Sequence, residues 1–138
     1  MRNTLFKSLF VVSILSWVQC KKETTKANCA LVLCTMEFRM LTVTIKDKAG
    51  NFYKADKVET YTPMGKMIFS QSSPSFLPDS SYVVIDDNNM KDLTKNVNTI
   101  LDFKIYKSNA VVKKVQYVVT ADCCHISKVS GDTELIVE

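Results

Sequence analysis

The chain has 138 residues, with 18 basic and 14 acidic side chains, one histidine, five cysteines and only three glycines. A formal charge of +4 on lysines scattered singly or in pairs gives no case for nucleic acid as a partner. Gly50, Gly65 and Gly131 stand too far apart to write a dinucleotide or P-loop phosphate cradle, so nucleotide chemistry is excluded as a leading idea.

At the N-terminus Arg2 and Lys7 precede the apolar run LFVVSILSWV at residues 9–18, followed by Gln19 and Cys20. That order is the order of a bacterial secretion signal. The run is about half the roughly twenty residues a bilayer span needs, so residues 1–19 read as a removable leader rather than an anchor. Losing Arg2 and Lys7 lowers the basic count from 18 to 16 against 14 acids, leaving +2. WVQC resembles a bacterial lipobox, in which Cys20 becomes the first mature residue and carries the lipid. Trp17 and Gln19 replace the leucine and small residue that the pattern prefers. Residues 20–33 then read as a lipidated N-terminus and a flexible polar tether, KKETTKAN being too polar to bury a core. Lys22 followed by Glu23 resembles a surface-export signal of some outer-membrane bacteria. The competing expectation is a secreted protein cut near Gln19, with Cys20 as an ordinary thiol.

From residue 34 onward the pattern is one of short strands. MEFRMLTVTIKD alternates twice, Met36, Phe38 and Met40 slipping to Leu41, Val43 and Ile45, which predicts a strand with a bulge near Met40. DKAGN offers Gly50 and Asn51 for a tight turn, and a second strand over residues 57–62 is expected to return from it. Further strands are predicted at KMIFS, SYVVIDD, ILDFKIYK, AVVKKVQYVVT, around CCHISKV and at TELIVE. Met90, Leu93 and Val97 fall at helical spacing and predict one short helix lying as a lid on the core. SQSSPSFLPDSS, with Pro74 and Pro78, is a loop whose Phe76 is expected to fold back and plug one end of the body. The pattern as a whole is all-β: a seven- to eight-stranded antiparallel β-sandwich over residues 34–138.

The chemistry concentrates at ADCCHIS, residues 121–127, which holds the only histidine. With Cys20 given to lipid, Cys29, Cys34, Cys123 and Cys124 form an even set, and in an exported chain that points to disulfides. Adjacent cysteines have Cα atoms about 3.8 Å apart, short of the roughly 4.4–6.8 Å an unstrained bridge wants, so each must find a distant partner. A bridge from Cys34 to the pair is the firmer expectation. On a straight strand Cys29 would lie roughly 17 Å from Cys34, so either CALVLC bends or Cys29 stays free. A zinc or copper site at these cysteines with His125 is the alternative reading, disfavoured because structural zinc cysteines are usually two to four residues apart. Cys123 and His125 on one strand would sit roughly 6–7 Å apart, too far for a thiolate–imidazole pair. No catalytic residue, metal ligand or cofactor site is assigned. His125 is expected to be a rim or partly buried ring donating to a carbonyl, and Asp86 with Asp87 a solvated, turn-forming pair.

YVVTADCCHISKVSGDTELIV, together with CTMEFRMLTVTIKDKAGN and YVVIDD, resembles a group of small outer-membrane-bacterial lipoproteins. Those proteins also look like carboxypeptidase-regulatory-like, or transthyretin-like, β-sandwich domains. The resemblance covers about residues 34–138, and DCCHISKVSG is its most specific part. It implies a sandwich without an active site, lipid-anchored at the outer membrane on its periplasmic or surface face. Such a domain would be a binding or accessory module for an envelope protein, peptide or glycan.

Overall fold

The computed structural model describes residues 29–74 and 81–138. The leader, Cys20, most of the tether and Phe76 lie outside the described residues. Among the described residues eight strands form two sheets: β1 (Met40–Lys46), β2 (Lys57–Tyr61), β3 (Met67–Gln71), β4 (Tyr82–Asp86), β5 (Thr99–Lys107), β6 (Ala110–Ala121), β7 (Ile126–Ser130) and β8 (Glu134–Ile136). The smaller sheet has the order β4-β1-β8 and the larger β3-β2-β5-β6-β7, so the all-β sandwich is the architecture of the chain.

Strict alternation makes the inner faces. In β1, Leu41, Val43 and Ile45 are buried while Thr42 and Thr44 are half-buried. In β5, Leu101, Phe103 and Ile105 are fully buried between outward Asp102, Lys104 and Tyr106. Period two places these rows on opposite sides of the pleat, and burial of each large apolar side chain contributes about 1.5–3 kcal/mol. Phe103 and Tyr117 meet edge to face at 5.9 Å between ring centres. The bulge lies between Leu41 and Thr42, one residue beyond the expected place.

Three connections differ from the expectations. The turn at residues 47–51 forms, with Gly50 at φ +84°, but β2 does not return along β1. Phe52 makes a single bridge to Lys46, after which the chain crosses to the other sheet, burying Ala55 and donating Asp56 N to Tyr106 O. The short helix is a six-residue 3-10 helix, Asp87–Asp92, which ends where Leu93 turns inward and becomes extended. The third difference is β8, which pairs parallel to β1, because the chain steps from β7 to the smaller sheet without reversing direction. Gly131 makes that step: its φ is +126°, and a Cβ there would lie 2.2 Å from the Tyr117 ring. Tyr117 in turn donates its hydroxyl to Asp132 O at 2.8 Å.

The strand directions give the sandwich two ends. The starts of β1, β5 and β7 and the finishes of β2, β4 and β6 lie together at the end where residue 29 enters. The turns at residues 47–51 and 107–110 and the C-terminal residues lie at the other. No helix among the described residues is long and apolar enough to cross a membrane.

Candidate functional site

The four cysteines meet at the entry end in two disulfides, Cys29–Cys123 and Cys34–Cys124, with Cα separations of 5.4 and 5.3 Å. Both sides bend to make this possible. CALVLC opens with a 3-10 turn, Cys29–Leu31, closed by Val32 N donating to Cys29 O. On the other side residues 122–125 form a turn instead of the expected strand. There Asp122 Oδ1 accepts the backbone N–H of Cys124 at 2.6 Å and of His125 at 2.7 Å, an Asx-type turn that aims the adjacent cysteines at separate partners. Those two N–H groups hold the Asp122 carboxyl below its ordinary value.

His125 follows this turn and is 7% exposed. Its Nδ1 lies 2.8 Å from Asp87 Oδ2 and its Nε2 lies 2.9 Å from Thr35 Oγ1. The partner is a carboxylate, not the expected carbonyl. Because an ionised carboxylate only accepts, Nδ1 carries the proton. Asp87 and Asp86, expected as a solvated pair, have separate duties. Asp86 caps the 3-10 helix by accepting Asn88 N, whereas the Asp87 side chain is only 11% exposed. Its Oδ2 accepts Arg39 N and its Oδ1 accepts Ile126 N, both at 2.8 Å. Burial pushes the Asp87 carboxyl up, but the His125 ring and the two backbone N–H groups outweigh it and hold the carboxyl below its ordinary value. Asp87 therefore ties the lead-in of β1 to the first residue of β7, two extended segments from different sheets that share no ladder there.

The row of hydroxyl, imidazole and carboxylate has the hydrogen-bond order of an acyl-transfer relay. Neither described groove is lined by Thr35 or His125, however. The row acts as a strut joining residues 34–39, the end of β4 and the turn before β7. In this state the four sulfurs are bonded to one another and offer no thiolate to a metal. Among the described residues no group of three or more His, Cys, Asp or Glu side chains is arranged to hold one.

Beside the strut is a groove of about 430 Å³, lined by Phe38, Arg39, Met40 and Leu41 on one side and Ile126, Ser127 and Lys128 on the other. It runs along β7, whose only strand partner among the described residues is β6. A second groove of about 350 Å³ opens under Met64 at the same end.

The chain matches no protein-family model, no curated protein and no solved structure. The resemblance of residues 34–138 to envelope lipoproteins gains no support from these comparisons.

Of the residues singled out in the sequence, Cys29, Cys34, Cys123, Cys124, His125 and Asp87 are brought together. Thr35, Asp122 and the backbone of Arg39 were missed. An aspartate directly before a Cys-Cys-His run is a readable turn signal. Thr35 and Arg39 carried none, because their partners are 90 and 48 residues away.

Proposed function

We propose that this chain is a lipid-anchored, non-enzymatic β-sandwich of the bacterial envelope, held at the outer membrane through Cys20 and acting as a binding or accessory module. The reading is supported chiefly by the combination of an export leader that ends at a cysteine with a body closed by two disulfides, bonds that persist in oxidising compartments. A partner of extended peptide character suits the edge of β7 that has no strand partner among the described residues and the groove beside it, which the apolar Phe38 and Met40 help to line.

The deciding measurement is the mass of the N-terminal peptide of protein extracted from the bacterial membrane fraction. A first residue Cys20 bearing diacylglyceryl and amide-linked acyl groups is the expected result. An intact Met1, or an unmodified Cys20, refutes the lipoprotein reading. Crosslinking in intact envelopes then identifies the partner.

A further inference from the structure

Large apolar side chains are unevenly distributed over this surface. The four most exposed among the described residues are Leu31, Leu33, Met36 and Met64, each about nine-tenths exposed or more. All four project from the entry end. Leu31, Leu33 and Met36 stand on the loop tied down by Cys29–Cys123 and Cys34–Cys124, and Met64 stands on the turn between β2 and β3. Among the described residues no large apolar side chain at the far end reaches such exposure, and the turns there carry Asp47, Lys48, Asn51, Ser108 and Asn109. Large apolar side chains gathered in solvent at one end of a domain point to a contact surface there.

The chain itself indicates what covers it. Eight residues lie between Cys20 and Cys29, and the nine fully extended steps from one to the other reach at most about 30 Å. On the lipoprotein reading, which this inference rests on, the end at which residue 29 enters is the end nearest the bilayer. Lys95 stands at the base of the loop with Nζ 3.3 Å from Cys29 Sγ, a cation at the same end that suits anionic headgroups. The loop is already covalently fastened, so contact with lipid requires little further ordering.

We propose that the disulfide-braced loop, through Leu31, Leu33 and Met36, with Met64 on the β2–β3 turn of the same end, dips into the outer-membrane lipid interface. It would act as a second attachment that fixes the domain with its far end pointing away from the bilayer. The lipid chain alone leaves orientation free; two attachment points do not.

The only tryptophan, Trp17, belongs to the leader, so a chain beginning at Cys20 is free of indole and can be given one. Leu33→Trp and, at the far end, Ala49→Trp are placed separately in the full lipidated protein. Each is reconstituted in phosphatidylethanolamine–phosphatidylglycerol vesicles containing brominated acyl chains. Both positions are exposed, so neither change touches the core. Blue-shifted, bromolipid-quenched emission from Leu33→Trp with unquenched emission from Ala49→Trp is the expected result. Equal, unquenched emission from both overturns the proposal. So does shielding of the loop indole in native envelopes but not in vesicles, which assigns the patch to a protein partner. If peptide mass shows Cys20 unmodified, the anchor reading fails separately, and the same vesicles are added to the Cys20→Ser chain. There, partition that weakens roughly tenfold or more for each of Leu31→Ser and Leu33→Ser still supports lipid contact, and no partition overturns it.

Discussion

The two disulfides are neighbours, and their contributions are therefore not independent. With neither bridge present, restoring Cys34–Cys124 closes a ring spanning a sequence separation of 90, which the chain-entropy relation values at about 4.6 kcal/mol. With Cys29–Cys123 already in place, the second bridge closes only the small ring made of the six residues from Cys29 to Cys34 and the pair Cys123–Cys124. A ring of about eight residues is worth about 2.5 kcal/mol by the same relation. The expected pattern follows. The paired substitution Cys34→Ala with Cys124→Ala costs about 2.5 kcal/mol, Cys29→Ala with Cys123→Ala costs about the same, and removing all four sulfurs costs about 7 kcal/mol. The fourfold variant thus loses about 2 kcal/mol more than the two paired variants added together. Urea denaturation of the chain beginning at Cys20, followed by circular dichroism at 25 °C under non-oxidising, non-reducing conditions, gives all four free energies. A paired removal that costs as much as the fourfold one, or strict additivity, refutes the claim that the bridges act by sharing one small ring.

Gly131→Ala should destabilise the domain by roughly 3 kcal/mol or more, since it adds a clash with the buried Tyr117 ring to an unfavourable φ of +126°. Gly50→Ala, with φ +84° and open space around it, should cost only about 1–2 kcal/mol, and thermal melts of the two variants read the difference. Asp87→Asn keeps the shape but leaves a buried N–H without its acceptor, for an expected loss of about 1–3 kcal/mol at pH 7. Because the folded Asp87 carboxyl lies below its ordinary value, its contribution is complete above about pH 4 and disappears as pH falls through the folded value. The gap between wild type and Asp87→Asn should therefore narrow on acidification, and a constant gap in urea midpoints from pH 7 to pH 3 contradicts the assignment. Glu59, 7% exposed on the outer side of β2, behaves the same way. Burial pushes its carboxyl up, but hydrogen bonds from Lys57, Tyr61 and Tyr106 prevail and bring it down to about 2. Its contribution, up to about 3 kcal/mol, is present above pH 4.5 and lost between there and about pH 2. Glu59→Gln should flatten that part of the stability profile, as measured by urea midpoints.

The strands were legible because each depends on neighbours two residues apart. Leu41, Val43 and Ile45, or Leu101, Phe103 and Ile105, announce an inner face wherever the sheet is placed. The pairings were less legible. That β2 leaves β1 for the other sheet depends on Ala55 finding a buried place and on Asp56 meeting Tyr106, contacts that no local pattern records. Met90, Leu93 and Val97 keep helical spacing, but the chain is pulled straight at Leu93 as that side chain enters the core and Asn96 N reaches Ala121 O. The presence of disulfides could be read from the even cysteine set and the leader-like N-terminal pattern, yet the partner of Cys29 could not. It is decided by two local bends, a 3-10 turn in CALVLC, masked by a strand-like composition, and an Asx turn whose signal, Asp122, was present but not taken up. His125 was expected to be structural, but its carboxylate partner lies 38 residues away and was hidden inside what looked like a solvated acidic pair.

Residues 30–36 pose a problem that burial does not solve. They place Leu31, Leu33 and Met36 in solvent, so they gain little from the hydrophobic effect. Fixing each backbone residue nevertheless costs about 1–2 kcal/mol in lost conformational freedom. What opposes that cost is covalent and polar: one disulfide at each side of CALVLC and the Thr35 hydroxyl on the His125 ring, with the Arg39 N–H on Asp87 just beyond. The eight strands bury their core without this segment, whose residues contribute nothing to the buried apolar cluster. The ties therefore do more than close the sandwich: they hold a set of apolar side chains in one fixed position outside it. A surface presented at that entropic cost, at the end where the chain emerges, is the physical basis for assigning it a contact rather than treating it as frayed tether.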